Sequence, residues 1–279
     1  MELNEVKIVA DSGSDVLSLE NVAFSLASLK IMTDERQYVD DADLDIADMV
    51  NYLVGYKGKS TTACPGPDDW YSGFGDAKYV FTISITGNLS GSCNSSRIAA
   101  KDYEEAYPDR RVRVIDSLTA GPEMVLIIEK LRELILLGKS FDEVSAEIDE
   151  YMKTTGLLFI LESMQNLANN GRVSPLVAKA AGLLGIRAIG RASDIGTLEM
   201  LSKSRGEKKC APDTYNTMKE LGYKGGKVRI GNVLNPAFAD KLGALITSEY
   251  PEADVQIYGS RGLCSFYAEK GGLMVGFEK

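Results

Sequence analysis

The amino-acid sequence predicts an α/β protein built from two domains. Its 279 residues are enough for two domains of medium size. In the first half, strand-like and helix-like segments alternate, which is typical of a parallel sheet with helices on both faces. From Gly156 onwards the alternation is less regular and predicts a mixed α+β fold. We therefore expect an N-terminal α/β domain over residues 1–155 and a C-terminal α+β domain over residues 156–279.

Apolar runs and helical periodicity define the elements of the first half. Strands are expected at Val6–Ala10, Ala27–Met32, Lys78–Ile85 and Val112–Asp116. Helices are expected at Asp43–Val54, Asp68–Gly75, Ser92–Ala106, Pro122–Leu137 and Ser140–Lys153. Pro122 and Gly138 are typical of a helix start and a helix end. Ser140 and Glu143 have the spacing of a capping box.

The second half contains shorter and less regular segments. Strands are expected at Leu157–Leu161, Ile186–Gly190, Thr197–Ser202, Lys227–Val233, Val255–Tyr258 and Gly272–Phe277. Helices are expected at Ser174–Leu184, Pro212–Leu221 and Asn235–Glu249. The polar, basic stretch Lys203–Lys209 is expected to be an exposed loop.

Composition excludes several classes of function. The net charge of −9 argues against partners such as nucleic acids and anionic membranes. No apolar stretch approaches the ~18 residues of a membrane-spanning helix, so we expect no stable membrane insertion. The first residues lack the pattern of a secretory signal, which predicts a cytoplasmic protein.

Histidine is absent, and the four cysteines form no C-x-x-C pair. These facts exclude a Ser-His-Asp triad and any His-ligated metal, and they predict neither a zinc nor a redox site. We expect no metal and no cofactor. An enzyme with this composition would depend on carboxylate, lysine, tyrosine or substrate-assisted chemistry.

Two short loops, residues 62–67 and 86–92, are rich in hydroxyls, small residues and turn formers. Each precedes a predicted helix, and helix N-termini bind anions because their first N–H groups are unpaired. The loops therefore predict a cradle for a small anionic group. Thr62, Ser90 and Ser92 would supply hydroxyls, and Gly91 would supply an N–H at close approach. Turn formation and helix capping are the structural alternatives for these residues.

Arg172 precedes the predicted helix that starts at Ser174. Its guanidinium could clamp a carboxylate or a phosphoryl group, or it could form a structural ion pair between the domains.

Other polar side chains follow the predicted strands at the edge where ligands bind in open α/β sheets. They are Asp11, Ser12, Asp116 and Ser117, and bracing of the loops is the favoured interpretation. Cys64 and Cys93 lie in or beside the two loops and are interpreted as small apolar lining rather than reactive thiols.

Five motifs occur along the chain in a characteristic order. Lys7–Ser12 is a strand followed by Asp-Ser, and Val114–Ser117 repeats that ending. Residues 62–70 keep the Thr, the two Pro and the Asp of a T-S-Q-P-S-P-x-D-F pattern, residues 89–92 are similar to L-S-G-T, and residues 170–173 are similar to G-G-R-I. Together the motifs resemble those of the DegV family of bacterial fatty-acid-binding proteins, over essentially the whole chain.

The resemblance implies a two-domain DegV-like fold that holds a long-chain fatty acid in a buried tunnel. It implies that the carboxylate is bound by Thr62, Ser90, Gly91, Ser92, Arg172 and Tyr267. It also implies that the protein is not itself an enzyme. A separate subunit similar to dihydroxyacetone kinase would use ATP to convert the presented acid to acyl phosphate.

The chain departs from the family pattern at the head-group site. Ala63 and Cys64 stand where the family has Ser and Gln, so one hydroxyl donor is missing. Tyr267 stands where many members have a histidine. A tyrosine hydroxyl donates a hydrogen bond but carries no positive charge near neutral pH.

Two functions remain open at this point. The first is the fatty-acid carrier, and the second is a phosphotransferase or hydrolase that acts on a small anionic substrate at the loop of residues 86–92, called the Ser/Gly loop. The sequence has no G-x-x-x-x-G-K-[ST] phosphate loop, which favours the carrier, and a carrier of another amphipathic acid is a third option. Candidates for lining the tail are Ile160, Met164, Leu167, Leu183 and Phe266, all of which fit an ordinary core equally well.

Overall fold

A computed structural model of the chain describes residues 1–176, 178 and 185–279. The strands, in chain order, are β1 (Val6–Asp11), β2 (Ala23–Ala27), β3 (Lys30–Met32), β4 (Gln37–Val39), β5 (Thr61–Ala63), β6 (Tyr79–Ser84), β7 (Arg111–Asp116), β8 (Thr155–Leu161), β9 (Ile186–Ala192), β10 (Leu198–Arg205), β11 (Val228–Asn232), β12 (Val255–Gly259) and β13 (Leu273–Glu278). The helices are α1 (Ile46–Gly55), α2 (Pro67–Phe74), α3 (Ser92–Ala106), α4 (Pro122–Leu136), α5 (Phe141–Met152), α6 (Gln165–Asn169), α7 (Glu207–Glu220), α8 (Pro236–Glu249) and α9 (Gly262–Ala268). The predicted helix Ser174–Leu184 falls mostly outside the described residues.

The first half forms a parallel sheet in the order β2-β1-β6-β7. Helices α4 and α5 bury one face of this sheet, in a core that includes Phe81 and Ile127. Helices α2 and α3 bury the other face around Trp70 and Tyr103. The predicted parallel sheet with helices on both faces is confirmed.

The second half forms a mixed sheet in the order β10-β9-β8-β13-β11-β12. Helices α7 and α8 cover its outer face, where Phe238 and Phe277 belong to one apolar cluster. The opposite face, which carries Phe159 and Met274, packs toward the first half. The mixed α+β character expected for this half is confirmed. The boundary between residues 155 and 156 stays a prediction, and β8 begins at Thr155.

Contacts between the halves are both ionic and steric. Arg229 of β11 is 2% exposed and forms ion pairs of 2.7 Å with Glu129 of α4 and with Asp254. Gly276 of β13 meets the start of α4, because a Cβ there would lie 2.4 Å from the backbone of Pro122. The face of the six-stranded sheet is thereby held against the edge of the parallel sheet where the site lies.

Three local predictions were wrong. The run Ala27–Met32 is not one strand: it contains the last residue of β2, which pairs with Asp11, and then β3, which joins a small sheet, β4-β3-β5. Residues 23–26 of β2 were not predicted to be a strand. The basic stretch Lys203–Lys209 spans the end of β10 and the start of α7. Most of its side chains are exposed and polar, so its composition is that of a loop although its backbone is regular. Pro212 lies inside α7 rather than at its start.

Four short elements were not predicted: β4, β5, α6 and α9. They have between three and seven residues, too few for a periodic pattern to show. Two of them matter for the site, because β5 carries Thr62 and α9 carries Tyr267.

Candidate functional site

A cavity of about 360 Å³ lies between the carboxyl edge of the parallel sheet and the face of the six-stranded sheet. One part of its lining is polar and includes Thr62, Ser90, Arg172 and Tyr267. Most of the remainder is apolar and includes Leu157, Phe159, Leu161, Leu167, Leu263 and Met274. A cavity with one polar end and long apolar walls suits an amphipathic ligand with a single polar group.

Thr62 and Tyr267 form the centre of the polar end. Their hydroxyl oxygens lie 2.8 Å apart, although the residues are 205 positions apart in sequence. Thr62 is held in β5, where it pairs with Ile31, and Tyr267 projects from α9. Burial raises the pKa of Tyr267, against the opposing effects of Thr62 and Arg172, so its hydroxyl is protonated at neutral pH. One hydroxyl donates to the other, so the pair has one hydroxyl hydrogen left to donate to an anion.

Arg172 supplies the positive charge at this end. Its Cζ lies 5.7 Å from the centre of the Tyr267 ring. Its Nε donates to the carbonyl of Leu89 at 3.2 Å, and Nη1 donates to the carbonyl of Asn170 at 2.6 Å. These backbone bonds orient the guanidinium beside the polar end and tie it to the Ser/Gly loop. Among the described residues, no side-chain carboxylate forms an ion pair with Arg172.

The residues of the Ser/Gly loop that were predicted to bind an anion fall into two groups. Ser90 and Gly91 line the cavity, and the Ser90 hydroxyl accepts the N–H of Ser92 at 3.2 Å. Ser92 is fully buried, and its hydroxyl donates to the carboxylate of Asp11 at 2.6 Å. Ser92 is not among the residues that line the cavity. Its direct contact with a ligand stays a prediction, while the structure gives its hydroxyl a bracing role.

Asp11, at the end of β1, braces this edge of the sheet. Besides the Ser92 hydroxyl, it accepts the N–H groups of Gly13 at 3.1 Å and Ile85 at 3.0 Å. Burial raises its pKa to about 7, and these hydrogen bonds oppose that rise. Asp116 holds the outer side of the same loop region by accepting the N–H of Gly87 at 3.0 Å. The bracing role predicted for the strand-end acids is confirmed.

Helix α9 is positioned by two acids of the first half, the buried Asp40 and the half-buried Asp15. Asp40 accepts the N–H groups of Gly262 and Leu263, both at 2.8 Å, and Asp15 accepts that of Arg261 at 2.9 Å. Burial raises the pKa of Asp40, and it raises that of Asp15 to about 7. The helix start is thus fixed while its later residues line the cavity.

One face of β8 contributes three residues to the apolar wall. Leu157, Phe159 and Leu161 alternate along the strand and all line the cavity. Of the tail candidates, Leu167 lines the cavity, whereas Ile160 lies in the core on the other face of the sheet. Met164 and Phe266 are buried without lining the cavity, and Leu183 is outside the described residues.

The cysteines near the site differ in exposure. Cys64 is exposed at the cavity lining, and Cys264 is buried there. Cys93 is buried beside the loop, and burial raises its pKa, which disfavours the thiolate. In the described parts of the chain, no group of three or more acidic or cysteine side chains is arranged to hold a metal ion. Every helix described there is too short or too polar to span a bilayer.

Comparison with known proteins places the whole chain in one family. A family model described as an uncharacterised protein of the DegV family matches residues 5–279. A DegV domain-containing protein of Streptococcus pneumoniae is 44% identical over 276 residues, which cover 98% of each chain.

Two solved structures are similar along nearly their full length. One is a DegV family protein from Eubacterium eligens loaded with heptadecanoic acid, with a TM-score of 0.96, 45% identity, and coverage of 98% of this chain and 99% of the other. The other is the Fatty Acid Kinase (Fak) B3 protein of Streptococcus pneumoniae loaded with linoleic acid, with a TM-score of 0.96, 44% identity and the same coverage. The match to the family model and these similarities show that the chain belongs to the DegV family.

Proposed function

We propose that this protein binds one long-chain fatty acid, with its acyl tail against β8 and its carboxylate at the Thr62–Tyr267 pair. The observation that carries the proposal is the cavity itself, which is apolar along its walls and polar at one end. Arg172 adds a guanidinium beside the hydroxyl pair, which suits a carboxylate. Two relatives of 44–45% identity are described as loaded with fatty acids.

Each head-group residue has a distinct role in this proposal. The Thr62–Tyr267 pair donates a hydroxyl hydrogen to the carboxylate, and Ser90 and Gly91 complete the cradle. Arg172 supplies the charge that balances the carboxylate. Ser92 supports the cradle through Asp11.

In this proposal the protein is a carrier of fatty acid and not an enzyme. We propose that it presents the carboxylate to a separate, dihydroxyacetone-kinase-like subunit, which forms the acyl phosphate, and that it works in the cytoplasm without a cofactor of its own. The name of the Fak B3 relative supports a partnership with a kinase. The open polar end also supports it, because Gly91 and Cys64 are exposed beside the head-group residues.

Native mass spectrometry of the purified full-length protein tests the proposal. We expect one fatty acid per chain, either co-purified from the expression host or taken up from added hexadecanoic acid. A protein that is empty and takes up no fatty acid would exclude the carrier. Attention would then turn to an enzyme acting on a small anionic substrate.

The kinase step needs its own experiment. The loaded protein, a dihydroxyacetone-kinase-like subunit from a DegV-containing bacterium and ATP should together form acyl phosphate, detected as the hydroxamate after trapping with hydroxylamine. Omission of either protein should abolish the product. Product formed without the kinase subunit would contradict the carrier role.

A further inference from the structure

Phe159 holds the central position in the apolar wall. It lies between Leu157 and Leu161 on the same face of β8, and it is 3% exposed. Residues two apart on a strand are separated by about 7 Å, so these three side chains form a row about 13 Å long. A side chain at the middle of this row affects the width of the cavity more than its length.

The Phe159 ring occupies a recess that Gly190 provides. The two residues are directly paired between β8 and β9. A Cβ at Gly190 would lie 2.2 Å from Cζ and 2.4 Å from Cε2 of Phe159, which is closer than atoms can approach. Any larger residue at position 190 would therefore displace the ring from the sheet. Because Gly190 has no side chain, the Phe159 ring can lie against β9.

Met274 lies on the other side of the ring. It pairs with Phe159 across β8 and β13 and also lines the cavity. Its Cε fills the space beside Gly121, where a Cβ would lie only 2.5 Å away. Methionine adapts its shape to irregular spaces, whereas a phenyl ring is rigid. Of these two neighbours, Phe159 is thus the one that cannot yield to a wider tail.

We propose that Phe159, recessed over Gly190, is the residue that sets the width of the acyl tail this cavity admits. This inference rests on the proposed fatty-acid binding and adds a specificity to it. Unbranched tails pass the ring, whereas a methyl branch beside the ring meets it. Removal of the ring creates space that only a wider tail fills.

A competition experiment with Phe159→Ala and Phe159→Leu tests this assignment. The delipidated full-length protein receives equimolar hexadecanoic acid and a mid-chain methyl-branched hexadecanoic acid, and native mass spectrometry measures the bound fractions. For Phe159→Ala we expect the ratio of branched to straight acid to rise roughly fourfold, the gain from burying about one more carbon. Phe159→Leu should shift the ratio in the same direction by less.

Ile160→Val is the matched control, because it removes one methyl group from the opposite face of the same strand. Its ratio should equal that of the unaltered protein. Thermal unfolding identifies variants that do not fold, and Phe159→Leu decides the question if Phe159→Ala is one of them. Folded Phe159 variants that bind fatty acid with an unchanged ratio of branched to straight acid would overturn this inference but not the proposed function. Failure of the unaltered protein to bind either acid would instead overturn the proposed function and this inference with it.

Discussion

The polar end and the apolar wall of the cavity are built in opposite ways. The polar end joins residues from distant parts of the chain, such as Thr62 and Tyr267, through directional hydrogen bonds. The wall includes three alternating residues of one strand, Leu157, Phe159 and Leu161, and apolar side chains of other segments complete it without directional bonds. Hydrogen bonds depend on geometry, whereas apolar burial scales with area. We therefore expect the polar end to control the orientation of the ligand and the apolar wall to control its affinity.

The largest expected effect concerns the wall. Each methylene removed from a bound tail costs about 0.8 kcal/mol, or roughly fourfold in affinity. Shortening the acid from sixteen to twelve carbons should therefore weaken binding by about 3 kcal/mol, roughly 200-fold. Isothermal titration calorimetry with the delipidated protein measures this series. A dependence weaker than twofold per methylene would contradict a tail held along β8.

The next effect concerns the bracing beneath the polar end. Asp11→Ala leaves two buried N–H groups and the Ser92 hydroxyl without their acceptor, which should lower the free energy of unfolding by about 2–4 kcal/mol. Asp116→Ala is the matched control. It also removes acceptors from N–H groups of the loop region, but at a more exposed carboxylate where water can replace it. Urea unfolding of both variants makes the comparison, and equal losses would count against the buried brace.

The acids that position α9 also predict how stability depends on pH. The folded protein raises the pKa of Asp15 from 3.8 to about 7, chiefly through burial, so the native state holds a proton that the unfolded state releases. This contribution is fully present below about pH 4 and is lost as the pH rises to about 7. It should change the free energy of unfolding by up to about 1.4 kcal/mol per pH unit in that window.

Asp15→Asn should flatten this dependence. The amide oxygen of an asparagine can still accept the Arg261 N–H, and the side chain no longer ionises. Urea unfolding between pH 4 and pH 8 measures the slope for both proteins. An identical slope would mean that Asp15 does not take up the proton.

The smallest effect concerns the polar end itself. Thr62→Val removes one hydroxyl and should weaken fatty-acid binding by about 1 kcal/mol, roughly fivefold, because the wall still holds the tail. Tyr267→Phe should have a similar effect. Thr61→Val, at the neighbouring position of β5, is the control and should bind normally. Unchanged affinity and an unchanged carboxylate position in a crystal structure of Thr62→Val would contradict the head-group assignment.

The sequence alone predicted the parallel sheet and most long helices. Helix α3 was predicted with its observed bounds, and the capping box of Ser140 and Glu143 is present. These features depend on local periodicity and on hydrogen bonds between residues close in sequence. The short elements β5 and α9 were missed because contacts with distant segments, such as Asp40 with the start of α9, stabilise them.

The candidate site shows the same division. The two loops, the strand-end acids and Arg172 could be selected from the sequence, because hydroxyls, glycines and charges at such positions have recognisable chemistry. The wall could not be selected, since an apolar residue of a strand looks the same whether it faces a core or a cavity. Ile160 and Phe159 are adjacent in sequence, yet only Phe159 lines the cavity.

By itself, the sequence determined the class of fold, the family and the polar residues available for an anion. Those depend on composition, periodicity and short motifs, which are properties of neighbouring residues. The tertiary structure decided which of these residues meet. It joined Thr62 to Tyr267, assigned the Ser92 hydroxyl to Asp11 and set Phe159 over Gly190. The physical reason is that these contacts connect residues 31 to 205 positions apart, and their geometry exists only after distant segments of the chain have folded together.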